Sequence, residues 1–254
     1  MNTARREPGL VIAATGLMAE AWIAARSASV KTVVSGGDAA QLAGLIEAAV
    51  AEGGRAILSF GIAGGLSEDL PPGTCLVGGE VVHAGKLYRA DAAWSGRLAQ
   101  RLTVPSLGQR PGGGKAEPGW GATRLRSALH RLAGVDRVLS NPCDKRALGA
   151  ATGATAVDME SHVVAELAAR HGLPFAVLRV IADPVGGAIP AAAVSAMRSD
   201  GAALATLACL RSLVRHPGQV PALLRVALDT SRALLQLRRC VRSLGPGLGF
   251  FERG

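Results

Sequence analysis

Ala56-Ile57-Leu58-Ser59-Phe60, followed by Gly61-Ile62-Ala63-Gly64-Gly65, is the stretch on which the fold turns. The first five residues read as a strand of the fully buried kind. The glycine-rich run reads as the turn that ends it. Outward from this stretch, strand and helix signals alternate. Upstream, Leu10–Ala14 predicts a strand, 17–26 a helix, 32–35 a short strand and 38–52 a helix. Downstream, Cys75–Val82 predicts a strand, and 105–121, with Gly112-Gly113-Gly114 at its centre, a loop. Strands are expected at Val135–Leu139 and Ala154–Val157, then a helix over 158–171 stopped by Gly172. Phe175–Ile181 is an apolar strand apart from Arg179, and Asp183-Pro184 ends it. This order predicts an α/β fold: a single three-layer α/β/α sandwich around a mixed central sheet.

From about Leu204 the strand signals stop. Helices are expected over 204–215 and 220–244, divided by His216-Pro217-Gly218. The chain therefore divides into a catalytic domain, 1–203, and a helical C-terminal extension, 204–254. In the second helix Arg225, Asp229, Arg232, Gln236 and Arg239 form one polar stripe, with Leu224, Leu228, Leu234, Leu235 and Val241 largely opposite. Such a basic amphipathic segment suits an anionic membrane surface, or packing on the domain or on a second subunit.

Hydrophobic residues make up 49% of the chain, enough for a large core. Aromatics are only 3%, so Ala, Val, Leu and Ile must build it. The net charge of +9 favours anionic partners without choosing among them. Nucleic acid is not expected, because no recognition motif is present and aromatics are too few for stacking. Cys75, Cys143, Cys209 and Cys240 show neither metal-ligand nor disulfide spacing, which fits a reducing, cytoplasmic setting. No Gly-x-Ser-x-Gly elbow, Walker loop or dinucleotide fingerprint occurs. The short apolar run after Arg5 and Arg6 is interrupted by Thr15, Gly16 and Glu20, so it reads as a strand and not as a signal peptide.

Ligands of open α/β sheets bind beyond the carboxyl ends of the strands. Gly61–Gly65, Asp158 with Glu160, and Asp183 all fall there. Asp183, at the mouth of an apolar strand, reads either as a proton donor of raised pKa or as the cap of a turn before Pro184. Glu160 reads either as a ligand contact or as an acid favoured by a helix N-terminus. Glu20 reads as a solvated helix residue.

Three segments resemble the superfamily of nucleoside phosphorylases and methylthioadenosine/S-adenosylhomocysteine nucleosidases. They are Leu58–Leu66, Ala156-Val157-Asp158-Met159-Glu160-Ser161 and Leu178-Arg179-Val180-Ile181-Ala182-Asp183. Within it, Val157–His162 and the basic tail look most like the hopanoid-associated phosphorylases, which are thought to remove adenine from adenosylhopane. The resemblance implies that Asp183 protonates or binds the purine and that Glu20 positions the attacking water. It implies that Glu160 holds the ribose hydroxyls with Met159 packed on the sugar. Phe60, Gly61, Ile62, Ala63, Asp158 and Asn141 would line the substrate, and Asp144 could face it. Phe60 and Trp94 are the available aromatic partners for the base. The sequence departs from the phosphorylases at Ser59 and Ile62, where phosphate ligands are expected. That favours water as nucleophile, unless Arg26 or Arg55 serves inorganic phosphate as co-substrate. No other cofactor and no metal is implied. The expected partners are a purine nucleoside-like molecule, a hopanoid lipid, a membrane surface touched through 220–244, and further copies of the chain. Alternative readings are a methylthioadenosine/S-adenosylhomocysteine nucleosidase, a purine nucleoside phosphorylase, and a non-enzymatic membrane or nucleic-acid binder.

Overall fold

The computed structural model describes residues 10–103, 129–197 and 217–251. The loop expected over 105–121 and the helix expected over 204–215 lie outside them. The strands are β1 Leu10–Thr15, β2 Val30–Val34, β3 Gly54–Gly65, β4 Cys75–His83, β5 Lys86–Arg89, β6 His130–Gly134, β7 Ala156–Asp158 and β8 Phe175–Asp183. The helices are α1 Met18–Ala24, α2 Ala39–Ala51, α3 Ala92–Thr103, α4 Pro142–Thr152, α5 Ser161–His171, α6 Ala191–Met197 and α7 Val220–Leu244.

The eight strands form one mixed sheet in the order β2-β1-β3-β7-β6-β4-β5, with β8 bonded to both β3 and β4. The pairs β3–β7, β4–β8 and β4–β5 are antiparallel; the remainder are parallel. Hydrogen bonding therefore runs in a closed circuit through β3, β8, β4, β6 and β7. Period-two alternation divides the buried strands between two cores. Val11, Ala13, Leu58, Phe60, Leu178 and Val180 meet Trp94 and Leu98 of α3 and Leu237 of α7. Ile12, Ala14, Ile57, Val177 and Ile181 meet Leu42 and Ile46 of α2 and Val164 of α5. The three-layer architecture is the one expected.

Three local expectations are corrected. Gly61–Gly65 is not a turn. It continues β3, pairing with β8 from Gly61↔Arg179 to Gly64↔Asp183 and with β7 at Gly64 and Gly65. The glycines there serve close approach, since a Cβ on Gly61 would lie 2.7 Å from the Glu20 carboxyl. The strand expected at Val135–Leu139 lies earlier, at His130–Gly134, where it pairs with β4 and β7. Its polar start, His130-Arg131, hides it from a search for apolar runs.

The third correction concerns α7. Its buried face carries Asp229 and Gln236 among Ala233, Leu237, Cys240, Val241 and Leu244, while Leu224, Leu228 and Leu235 are 61%, 58% and 58% exposed. Polarity misassigned the faces because Asp229 brings its own partner: Arg232 lies 2.8 Å from its carboxylate. The buried face of α7 is part of the core, and the following turn accepts the indole N–H of Trp94 at the Leu248 carbonyl, 3.1 Å away. Among the described residues no helix is long and apolar enough to cross a membrane.

Candidate active site

Polar groups gather at the carboxyl ends of β1, β2, β7 and β8 and along the outer half of β3. The alternation that sends Leu178 and Val180 into one core places Arg179 on the other face, where β3 presents Ser59. Arg179 is fully buried. Its Nη2 donates to Ser59 Oγ at 2.6 Å and lies 3.1 Å from Glu160 Oε2. Nη1 donates to the Ile62 carbonyl at 3.2 Å. Nε faces Asp158 Oδ2 at 3.2 Å, an ion pair without the alignment of a hydrogen bond.

Glu20 is buried, contrary to the solvated reading. Its Oε2 accepts from the amides of Gly16 and Leu17, each at 2.9 Å, and Oε1 accepts from Ile62 N at 2.8 Å. Three backbone donors fix this carboxyl, two from the start of its own helix and one from β3. Burial pushes its pKa up to about 7, with the Glu160 carboxylate adding to the rise and Arg179 and the amides opposing it. Glu160 is also buried. Ser35 Oγ donates to its Oε1 at 3.1 Å, and burial raises its pKa against the pull of Arg179. For Arg179, burial opposes the charge, but Asp158, Glu160 and Glu20 outweigh it and the guanidinium is held charged.

Asp158 does not reach towards a ligand. Its Oδ1 accepts from the amides of Glu160 and Ser161, and Oδ2 accepts from Ser161 Oγ at 2.6 Å while facing Arg179. It caps α5 and anchors the guanidinium. Glu160 therefore owes its position to its neighbour's cap, and its own side chain makes none.

Asp183 ends β8 with its side chain 16% exposed, against a fully buried Lys145 from α4. Lys145 Nζ donates to Asp183 Oδ2, to the Pro184 carbonyl at 3.1 Å and to the Gly187 carbonyl at 2.9 Å. All three ammonium protons are used. Burial raises the Asp183 pKa, the Lys145 hydrogen bond and charge hold it down, and the Asp229 carboxylate from α7 raises it further; the net direction is upward.

The structure thus brings Glu20, Glu160, Gly61, Ile62 and Asp183 to one end of the sheet, with Met159 half-buried beside Glu160 and Ala63 buried in β3. Phe60 does not join them. It points to the opposite face of β3 and is wholly enclosed with Leu58 and Trp94, so neither aromatic is available to stack on a base. Asn141 is exposed and caps α4 through Cys143 N at 2.8 Å, and Asp144 is exposed on that helix. Arg26 and Arg55 are exposed as well. Arg55 opens β3, six residues from Gly61, which is about 20 Å along a strand, so it cannot serve the site. Sequence reasoning missed Lys145 and the central part of Arg179. The signal for Arg179 was present: a lone charge at an inward period-two position of an apolar strand.

Buried carboxyls ordered round one guanidinium, with an acid–ammonium pair beside them, define an α/β enzyme site for a small polar ligand. The chain belongs to the phosphorylase superfamily, whose family model matches residues 27–214. Among proteins of curated function, none matches the sequence. Solved structures share the fold. A Helicobacter pylori 5′-methylthioadenosine/S-adenosylhomocysteine nucleosidase in complex with a substituted pyrrolidin-3-ol superposes with a TM-score of 0.61 at 14% identity, over 94% of this chain and 100% of that one. Futalosine hydrolase of H. pylori strain 26695 gives 0.56 at 15%, over 91% and 97%. The Neisseria meningitidis nucleosidase of the first kind, bound to methylthio-immucillin-A, gives 0.57 at 14%, over 91% and 99%. At these identities the likeness speaks for the fold.

Proposed function

We propose that the chain hydrolyses the N-glycosidic bond of a purine nucleoside-like substrate and releases adenine, with adenosylhopane as the substrate. One observation carries hydrolysis over phosphorolysis. Glu20, Glu160 and Asp158 are gathered round Arg179, which already faces Asp158, Glu160, Ser59 Oγ and the Ile62 carbonyl. A phosphate dianion placed there would meet three carboxyls and one occupied cation. Water meets no such repulsion. The names of the structural relatives, two of them nucleosidases and one a hydrolase, agree with this choice.

In this reading Glu20 takes a proton from water, whose oxygen forms a bond to C1′. The C1′–N9 bond breaks, its electron pair passes to the purine, and Asp183 supplies a proton to N7, so adenine leaves neutral. A base with a pKa near 7 suits that task at neutral pH. Lys145 stabilises the carboxylate that Asp183 becomes. Glu160 accepts from ribose hydroxyls, and Met159 packs on the sugar. Solvent returns the proton from Glu20 to Asp183.

The apolar 5′ group rests on the resemblance of Val157–His162 and on the surface near Glu20. Met18 and Trp22, on the same short helix, are 58% and 74% exposed. On α7, which packs against α1, Leu224, Leu228 and Leu235 face outward with Arg225, Arg232 and Arg239 exposed among them. Apolar residues interspersed with arginines suit an anionic lipid surface. The test incubates the protein with adenosylhopane and with methylthioadenosine, each with and without phosphate, and measures adenine and the sugar product. Free sugar formed equally with and without phosphate is expected, faster from adenosylhopane. A sugar 1-phosphate, formed only with phosphate, overturns hydrolysis.

A further inference from the structure

The geometry points to a second site, a divalent transition-metal site of the zinc class formed by His83, Asp136 and His162. It shares no residue with the glycosidic site and does not depend on that reading. His83 is the last residue of β4, Asp136 follows β6, and His162 lies in the first turn of α5, so three elements converge from a stretch of 80 residues. One ligand atom from each side chain lies within 4.8 Å of the other two. The imidazoles stack with centroids 4.3 Å apart and planes 21° from parallel. Asp136 Oδ1 is 3.0 Å from His162 Nε2.

Two details preorganise the group. His83 Nδ1 is 3.0 Å from the Gly134 carbonyl. Nδ1 carries the proton towards that acceptor, which leaves Nε2 with its lone pair; a carbonyl partner of this kind is the usual support of a metal-bound histidine. Gly134 is also what lets His162 approach β6, since a Cβ there would lie 2.4 Å from that of His162. His162 is buried, whereas Asp136 is 71% exposed on its side chain. The fixed ligand is therefore on the inside and the adjustable one at the surface.

Two imidazoles and a carboxylate are the donors of first-row divalent ions. Metal–ligand bonds of about 2.0–2.1 Å put neighbouring donors roughly 3.4 Å apart in a tetrahedral shell. From separations of up to 4.8 Å the three groups must close by up to about 1.4 Å, which the exposed Asp136 and the half-buried His83 can accommodate. The site opens on a cavity of about 300 Å³ walled by Ala39 and Ala43 of α2 and by Glu166 and Arg170 of α5. Three protein ligands leave a coordination position for water or a small anion from that cavity. The ion would tie β4 and β6 to the first turn of α5.

The test uses the full chain, stripped with chelator and dialysed, in a Cys143→Ser background that removes the one exposed thiol among the described residues. Calorimetric titration with Zn²⁺ is expected to show one equivalent bound and a raised melting temperature. Co²⁺ is expected to give visible d–d bands without thiolate charge transfer. His83→Ala and Asp136→Ala should each weaken binding at least tenfold while melting like the parent without metal. Asp136→Ala changes only an exposed side chain and so keeps the fold. No stoichiometric binding, or equal affinity in parent and both variants, overturns the site.

Discussion

The two ends of the candidate active site are built on opposite plans. On one side Arg179 sits among Asp158, Glu160 and Glu20, all buried, and every group is held by two or more partners. On the other, Lys145 and Asp183 form a pair whose acid remains partly open to a ligand. The first arrangement suits positioning, because its parts cannot move independently. The second suits proton transfer, because a neighbouring cation adjusts one acid. Burial raises the pKa of Glu20 and of Asp183 alike. Their surroundings differ: Glu20 accepts from three amides, which suits the proposed base, while Asp183 faces an ammonium, which suits the proposed acid.

The sharpest break of this contrast is Arg179→Met. It leaves three buried carboxyls without their cation and is expected to cost about 3–5 kcal/mol of stability, read from urea unfolding. Lys145→Met should fold better than Arg179→Met, because partly open Asp183 can take up a proton. If the two variants lose equal stability, the contrast is wrong. Glu20→Gln comes next. It keeps the volume and removes the base, and should lower kcat by about 10²–10⁴ with adenine release as the readout.

The pH profile separates the two acids further. Glu20 must be ionised to act, so kcat/KM should rise with pH through about 7. Its folded pKa lies above its ordinary value, so its protonated form favours the fold at low pH, and that contribution is lost as pH rises through about 7. Glu20→Gln should remove this part of the stability profile. In Lys145→Met the basic limb, set by Asp183, should move to higher pH, with kcat lowered roughly ten- to a hundredfold by the weaker acid. An unmoved basic limb would take Asp183 out of the proton-donor role. The smallest effect is at the surface. Leu224→Ser with Leu228→Ser should change stability by no more than about 0.5 kcal/mol and leave turnover of a short nucleoside intact, while reducing retention on anionic liposomes.

Much of this fold was legible because buried parallel strands read as apolar runs: β1 and β8 were found within two residues of their observed limits, while β3 was recognised over Ala56–Phe60 but ended five residues early, at its glycines. β6 was displaced because it begins with His130-Arg131, and β5 is too short to show a period; α3 was missed although its buried Trp94, Leu98 and Leu102 recur every four residues. Asp158, Glu160 and Asp183 stood out by their place after strands, whereas Glu20, read as a solvated helix residue, did not. Their organisation was not, because it depends on which face a residue takes. Ser59 and Phe60 are adjacent, yet one meets Arg179 and the other the core under Trp94. Lys145 gave no signal at all, since nothing in Asp144-Lys145-Arg146 singles out the middle residue for complete burial. His83, Asp136 and His162 also stay hidden, being brought together only by the pairing of β4 with β6 and the packing of α5 on them.

The placement of α7 also bears on the order in which the molecule can be made. Ala233, Leu237, Cys240, Val241, Leu244 and Leu248 complete the core that begins with Val11 and Ala13. In a nascent chain that flank of the sheet lacks the cover of α7 until residues 220–248 have emerged from the ribosome. Until then Leu58, Phe60 and Leu178 are covered by Trp94 and Leu98 of α3 but not by Leu237 of α7, and a core left incomplete in this way is prone to aggregation.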